Sequence, residues 1–211
     1  TTNQPEWLTA QFATGKMGAV LVTVNTSYRA RELEYLLRQS ESSTFILQES
    51  FKDNSYIETL YEIVPELKDS KPGELQSEKF PYLRNVIVLG DTRYPGTYTW
   101  ADVMQMAGQI SDAKLGKRKK SLHHDDVINM QYTSGTTGFP KGVMLSHYNI
   151  VNNAINIAEG MKLTQRDRMC IPVPFFHCFG CVLGTLTAVS AGAAKVPLLE
   201  FNPRRVLQTV Q

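Results

Sequence analysis

The sequence predicts an α/β protein: strands and helices alternate along the chain, and the strands should form a largely parallel sheet with helices on both faces. Three observations predict it. Short apolar runs such as Thr44-Phe45-Ile46-Leu47 and Asn85 to Leu89 (NVIVL) are continuous rather than alternating, as strands buried on both sides are. Between them lie segments with apolar residues at helical spacing, such as Leu33, Leu36 and Leu37 in RELEYLLRQS. The chain as a whole, 211 residues with 42% hydrophobic and 20% charged content, has the make-up of a globular protein able to bury a sizeable core.

Pro5 suits a first helical turn, so Trp7, Leu8 and Phe12 predict a helix leading into a strand over Ala19-Val20-Leu21-Val22-Thr23-Val24. The helix RELEYLLRQS and the strand at Thr44 follow, then SYIETLYEIV, whose Ile57, Leu60, Tyr61 and Val64 share a face. LKDSKPGELQSEKFP is polar, contains Pro and Gly, and is expected to be a surface connection. After NVIVL come a helix in WADVMQMAGQI and a charged loop, SDAKLGKRKKSLHHDD. The KRKK run there is taken as solvated rather than as a patch for an anionic partner. His123 and His124, adjacent in sequence, are expected to point in different directions and are given no metal role. VINMQY is the next strand, and Ser146 should cap a helix in SHYNIVNNAINIAEGM, with Ile150, Ala154, Ala158 and Met161 on one face. DRMCIPVP should be extended, HCFGCVLGTLTAVSAG a buried helix and AKVPLLE a strand.

The totals also exclude. A formal net charge of +2 points to no nucleic-acid partner. Three cysteines, Cys170, Cys178 and Cys181, make no disulfide framework and fit a reducing, cytoplasmic setting. The first residues lack the pattern of a signal peptide, and the uncharged run from Cys178 to Ala194 is too short and too rich in Gly, Ser and Thr for a membrane crossing. A first residue Thr1 rather than Met, and an end inside NPRRVLQTVQ where Val206, Leu207 and Val210 have just begun a helical stripe, suggest a fragment truncated at both ends.

The chemistry concentrates in QYTSGTTGFPKG, residues 131 to 142. This loop should sit past the carboxyl end of a strand and before a helix, where an open α/β sheet places its ligand. Gly135, Gly138 and Gly142 can take positive φ and let backbone N–H groups converge. Thr133, Ser134, Thr136 and Thr137 add hydroxyls, and Lys141 adds a compact positive charge, a combination suited to a polyphosphate. A Walker loop is excluded, because Pro140 precedes Lys141 and Gly142 follows it. A dinucleotide fingerprint is excluded because the glycines are wrongly spaced.

YTSGTTGFPKGVMLSH resembles the phosphate-binding signature of the adenylate-forming superfamily, which includes acyl-CoA synthetases, luciferases and peptide-synthetase adenylation domains. GKMGAVLVTVNTSYRARELEYLL is similar to that superfamily's earlier segment, and PVPFFHCFGCVLG to the segment after the loop. The resemblance covers essentially the whole chain. It implies part of the large N-terminal, AMP-binding domain of an acyl-CoA synthetase over residues 1 to 211, with the small C-terminal domain and its catalytic lysine absent. The implied reaction has two steps: a carboxylate attacks the α-phosphorus of ATP to give an acyl-adenylate and pyrophosphate, and coenzyme A then displaces AMP.

On that resemblance, residues Thr133, Ser134, Gly135, Thr136, Thr137, Gly138, Phe139, Pro140, Lys141 and Gly142 hold the nucleotide, with Lys141 on the β- and γ-phosphates and Thr133 as the candidate contact to Mg2+. Phe175, Phe176, His177, Phe179 and Gly180 border the acyl pocket, and His177 is the second candidate catalytic residue. PFFHCFG offers no carboxylate to pair with a substrate ammonium, so an apolar acid is expected, a medium- or long-chain fatty acid before an aryl acid. Partners are thus a small carboxylic acid, ATP and coenzyme A, with homo-oligomerisation left open. A different reading of HCFGC, metal or redox chemistry at Cys178 and Cys181, lacks a second cysteine pair; the two are expected to share a packed helix face. A non-catalytic nucleotide-binding fragment is the remaining alternative.

Overall fold

The computed structural model describes residues 1–133 and 140–211. In chain order it contains α1 (Pro5–Met17), β1 (Leu21–Val22), α2 (Ala30–Gln39), β2 (Thr44–Gln48), β3 (Ser50–Phe51), β4 (Asn54–Ser55) and α3 (Tyr56–Ile63). There follow β5 (Asn85–Leu89), β6 (Tyr98–Thr99), α4 (Trp100–Ala107), α5 (Asp112–Lys120), β7 (Val127–Thr133) and β8 (Lys141–Ser146). The last elements are α6 (His147–Gly160), β9 (Arg168–Ile171), a π-helix (Phe179–Leu186), α7 (Thr187–Ser190), β10 (Ala194–Pro197) and α8 (Pro203–Val210). The expected α/β alternation is present. Pairing is mostly parallel, but it is divided among four small sheets among the described residues rather than gathered into one.

Two compact units result, Thr26–Lys117 with Thr1, and Thr2–Asn25 with Arg118–Gln211. In the first, β5 lies between β2 and β6, parallel to both. A central strand covered on both faces should be apolar throughout, and Val86, Ile87 and Val88 are all buried. Leu33, Leu36 and Leu37 of α2 and Ile57, Leu60 and Tyr61 of α3 are buried as their spacing predicts. The segment after α3 corrects the sequence: Leu67, Leu75, Phe80 and Leu83 are almost wholly buried, so the polar-looking connection is anchored through its few apolar residues. The charged stretch after α4 is also no loop. Ser111 accepts the amide of Lys114 at 3.3 Å at the start of α5, and the basic residues continue that helix as strong helix formers do.

In the second unit, β7 pairs parallel with β1 and antiparallel with β8, and β9 pairs parallel with β10. Trp7, Ile128, Ile150, Ala154, Ile171, Phe175, Cys181 and Val182 form one core cluster. The cap at Ser146 is as expected, its hydroxyl accepting the Asn149 amide at 3.3 Å. Ile150, Ala154 and Ala158 point inward, whereas Met161, just past the helix end, is 55% exposed and leaves the predicted stripe. The buried helix predicted near residue 180 is present, but its first part is wound as a π-helix. Two close approaches accompany that winding. A Cβ at Gly180 would collide with the Pro174 carbonyl, and one at Gly184 would come within 2.9 Å of Ile171. The Thr187 hydroxyl donates to the Val182 carbonyl five residues back, at 3.3 Å.

Candidate functional site

β7 and β8 form an antiparallel hairpin whose connecting residues, 134–139, lie outside those described. The candidate contacts Ser134, Gly135, Thr136, Thr137, Gly138 and Phe139 therefore fall outside the described residues. The flanking candidates are placed. Thr133 closes β7, Lys141 opens β8, and the two are partners across the ladder. Directly opposite residues on an antiparallel pair point to the same face, with Cβ atoms about 5 Å apart. The Thr133 hydroxyl and the Lys141 ammonium thus flank the mouth of the hairpin, and both residues are exposed. Pro140, which precedes Lys141, is half-buried.

Two expectations change here. A strand, not a helix, follows the loop, and α6 starts only at His147. The strand escaped notice because Val143, Met144 and Leu145 are all apolar and hide the alternation, although Leu145 packs on the core while Met144 is 64% exposed. Among the described residues no helix begins directly after the loop, because Lys141 opens a strand. Gly142 also needs no positive φ. It lies in β8 opposite Tyr132, and what requires glycine there is space, since a Cβ would stand 3.0 Å from Met130 Sδ and 3.4 Å from the Tyr132 ring.

The face that carries Thr133 and Lys141 carries Gln131 and Asn129 further down β7, because side chains alternate with period two. Both are buried, an unusual place for amides. Gln131 Nε2 donates to Asn129 Oδ1 at 2.9 Å and to Cys181 Sγ at 3.3 Å, while its Oε1 accepts from Thr23 Oγ1 at 3.2 Å. Gln11 of α1 donates to the Cys181 carbonyl at 3.2 Å. Sequence reasoning passed over this polar group entirely. Its one visible signal was two amide side chains at alternate positions, Asn129 and Gln131, in an otherwise apolar strand.

Through Cys181 the hairpin strand is tied to the turn containing the other candidates. Asn3 fixes that turn: its Oδ1 accepts the Phe175 amide at 2.7 Å, and its Nδ2 donates to the carbonyls of Val173 and Leu198 at 2.9 and 2.8 Å. The His177 carbonyl accepts the amides of Gly180 and Cys181, starting the π-helix. The His177 ring also acts as a cap, its Nδ1 accepting the Phe179 amide at 3.1 Å. With the Nδ1 lone pair engaged by that amide, the Nε2 edge of the exposed imidazole is the one left to donate.

The aromatic candidates separate. Phe175 is 1% exposed and packs on Trp7 with ring centroids 5.4 Å apart, a core role that withdraws it from the pocket predicted for it. Phe176 is half-buried and Phe179 is 53% exposed, so these two remain accessible, and Gly180 is buried where only a glycine fits. Cys178 and Cys181 do not share a packed face. Cys181 is fully buried and its thiol is pushed up to about 12 by burial, while Cys178 is half-buried with its Sγ 3.7 Å from His177 Nδ1. His123 and His124 likewise depart from expectation, their rings lying 4.0 Å apart at 37°. Among the described residues no helix is long and apolar enough to cross a membrane.

The chain as a whole is similar to known proteins. The AMP-binding enzyme family matches residues 1–211. YngI of Bacillus subtilis (strain 168), which carries the name of a candidate acyl-CoA synthetase, is 57% identical over 209 residues, covering 99% of this chain and 38% of that protein. The mitochondrial medium-chain acyl-CoA ligase ACSF2 of Danio rerio is 38% identical over 209 residues, covering 98% of this chain and 34% of that one. The chain thus spans little more than a third of the length of these relatives. The crystal structure of the anthranilate CoA ligase AuaEII with anthranoyl-AMP superposes with a TM-score of 0.72 at 22% identity, over 100% of this chain and 36% of that one, a likeness of fold.

Proposed function

We infer, from the premise that this chain belongs to the AMP-binding enzyme family over its whole length, that the protein containing it joins a medium- or long-chain fatty acid to coenzyme A through an acyl-adenylate made from ATP. One observation carries the assignment of the nucleotide: Thr133 and Lys141 face each other across the mouth of the QYTSGTTGFPKG hairpin, exposed and on one face.

The first step brings a carboxylate to a polyphosphate, so fixed positive charge and oriented donors must offset the repulsion and stabilise the departing pyrophosphate. Lys141 does this at the β- and γ-phosphates, and the loop amides and hydroxyls complete the cradle. The Thr133 hydroxyl is an oxygen donor of the kind a hard cation takes, which fits Mg2+ at the hairpin mouth; when bound, Mg2+ neutralises phosphate charge. His177 presents its Nε2–H toward the acyl-adenylate. Phe176 and Phe179 offer apolar surface to the acyl chain. Pro140 and Gly142 set the spacing around Lys141, and residues 134–139 hold the phosphates.

A fatty acid is favoured by two facts. The segment from Pro174 to Gly180 has no carboxylate for a substrate ammonium. The relative from Danio rerio is named for medium-chain acids. On this reading the 211 residues are one part of a large AMP-binding domain and inactive alone, a reading supported by their covering little more than a third of the length of the relatives. A cytoplasmic location follows from the same reading, with three cysteines that need no oxidising compartment.

The decisive experiment is a panel of fatty, aryl and amino acids assayed for AMP release by the full-length protein, with and without coenzyme A. Fatty acids should give the fastest release, and only with coenzyme A present. Amino acids winning would reject the acyl-CoA assignment, and aryl acids winning would move the protein to that branch.

A further inference from the structure

Cys181 is gripped by glutamine side chains from two other elements. Gln131 of β7 donates its Nε2 to the Cys181 thiol at 3.3 Å, and Gln11 of α1 donates to the Cys181 carbonyl at 3.2 Å. Gln131 has no freedom to turn within this group. Its Nε2 also donates to Asn129 Oδ1 at 2.9 Å, and its Oε1 accepts the Thr23 hydroxyl at 3.2 Å. Thr23, Asn129, Gln131 and Cys181 are all buried.

Each end of this tie leads to one half of the candidate site. On β7, Gln131 lies two residues before Thr133 on the same face, a step of about 6.8 Å along the strand. On the helix, the Cys181 amide donates to the His177 carbonyl at 3.1 Å, beside the Gly180 amide at 2.8 Å. A buried side-chain bond thus joins the strand that ends at the hairpin mouth to the turn that carries His177.

Stability alone does not explain such a bond. Buried partners that satisfy each other can be replaced together by apolar groups of the same shape at little cost. What a satisfied polar network adds is direction, because it holds one arrangement of the elements it links. Direction matters most where two bound groups must react. Their reacting atoms must stand about 3–3.5 Å apart, and a displacement of about 1 Å can cost 10²-fold in rate.

We propose that Gln131 is a positioning residue for adenylate formation. Acting through Cys181, it fixes the acyl side of the site, at the His177 turn, against the phosphate side, at Thr133 and Lys141. It touches neither substrate. The inference rests on the ligase reading above and adds to it the contact that aligns the two substrates.

The test is ATP–pyrophosphate exchange by the full-length protein, with the acid that the panel selects, in Cys181→Ala, Cys181→Ser and Thr23→Val. The first removes the acceptor and leaves Gln131 in place, the second restores an acceptor, and the third releases the Oε1 end from β1 while keeping the side chain's shape. Cys181→Ala and Thr23→Val should each lower kcat about tenfold to a hundredfold. KM for ATP and for the acid should stay within about threefold, as for an interaction that acts on the transition state. Cys181→Ser should recover most of the loss. Combining Cys181→Ala with Thr23→Val should cost no more than the larger single change, since the residues act as one unit.

Rates are taken per folded molecule, with the folded fraction read by circular dichroism at the assay temperature. A merely structural role would lower the melting temperature and leave kcat per folded molecule unchanged, and that result overturns the proposal. Losses confined to KM, or equal losses in Cys181→Ala and Cys181→Ser, overturn it too. Should Cys181→Ala not fold, Thr23→Val carries the same expectation from the other side of Gln131. A natural protein that exchanges pyrophosphate with no acid rejects the ligase reading itself. Exchange by the natural protein with undiminished kcat in the variants rejects only the alignment.

Discussion

The side-chain amide of Gln131 stands 3.3 Å from the thiol of Cys181, joining the strand that enters the glycine-rich hairpin to the π-helix that follows His177. Gln131 also satisfies Asn129 and Thr23, so it is the hub of a buried polar group. Replacing it by Leu leaves those partners short of hydrogen bonds in a dry setting. Gln131→Leu should lower stability by about 1–3 kcal/mol, read from the urea midpoint. An unchanged midpoint would mean the network contributes nothing.

Lys141 is exposed, and truncating it removes charge without opening the core. Lys141→Ala in the full-length protein should slow ATP–pyrophosphate exchange by about 10²–10³-fold, the scale seen when one oriented donor is lost from an anion-stabilising site. The unfolding midpoint should move by no more than about 0.5 kcal/mol. Exchange at the natural rate would remove Lys141 from the phosphate site.

Gly180 has no room for a methyl group, since a Cβ there meets the Pro174 carbonyl. Gly180→Ala must push the π-helix off the His177 turn. Overpacking of this kind costs about 1–3 kcal/mol, and a variant as stable as the parent would show that the turn yields freely.

Cys181 should resist thiol reagents. Burial holds its thiol protonated, pushed up to about 12, so mass spectrometry after iodoacetamide at mildly alkaline pH should find label on the half-buried Cys178 and none on Cys181. Labelling of Cys181 at the rate of a free thiol would contradict its packing.

Arg93 grips Asp102 through two bonds, 3.0 and 2.7 Å, and Asp102 also accepts the Thr99 amide at 2.9 Å at the start of α4. The Arg93 guanidinium first, and the Thr99 donors next, hold the carboxyl down to about 2, below the ordinary carboxylate range. A depressed carboxyl contributes stability that is present above the unfolded value and lost as pH falls toward the folded one. Asp102→Asn should therefore flatten the loss of stability between about pH 4 and pH 2, tracked by circular dichroism, while the natural chain loses it in that window. Identical acid profiles would assign acid unfolding to other groups.

Much of the fold was legible because its signals are local. The stripe of Leu33, Leu36 and Leu37, the buried run of Val86, Ile87 and Val88 and the cap at Ser146 each follow from residues a few positions apart. The strand Lys141–Ser146 was not legible, because consecutive apolar residues on an edge strand erase the period of two. Nor was the burial of Leu75 and Phe80, whose polar neighbours conceal them.

By itself the sequence determined the α/β alternation and the chemical character of the stretch over residues 133–142, four hydroxyls and three glycines with one lysine, since composition and spacing within one segment suffice for both. Only the tertiary structure decided that Thr133 and Lys141 face each other, that Phe175 belongs to the core, that His177 spends its Nδ1 on capping and that His123 and His124 converge on one carboxylate. Those outcomes depend on strand register, on packing against Trp7 and on the path of a turn clamped by α6. Each is fixed by contacts between residues distant in sequence or by backbone angles, and neither is written in the order of side chains alone.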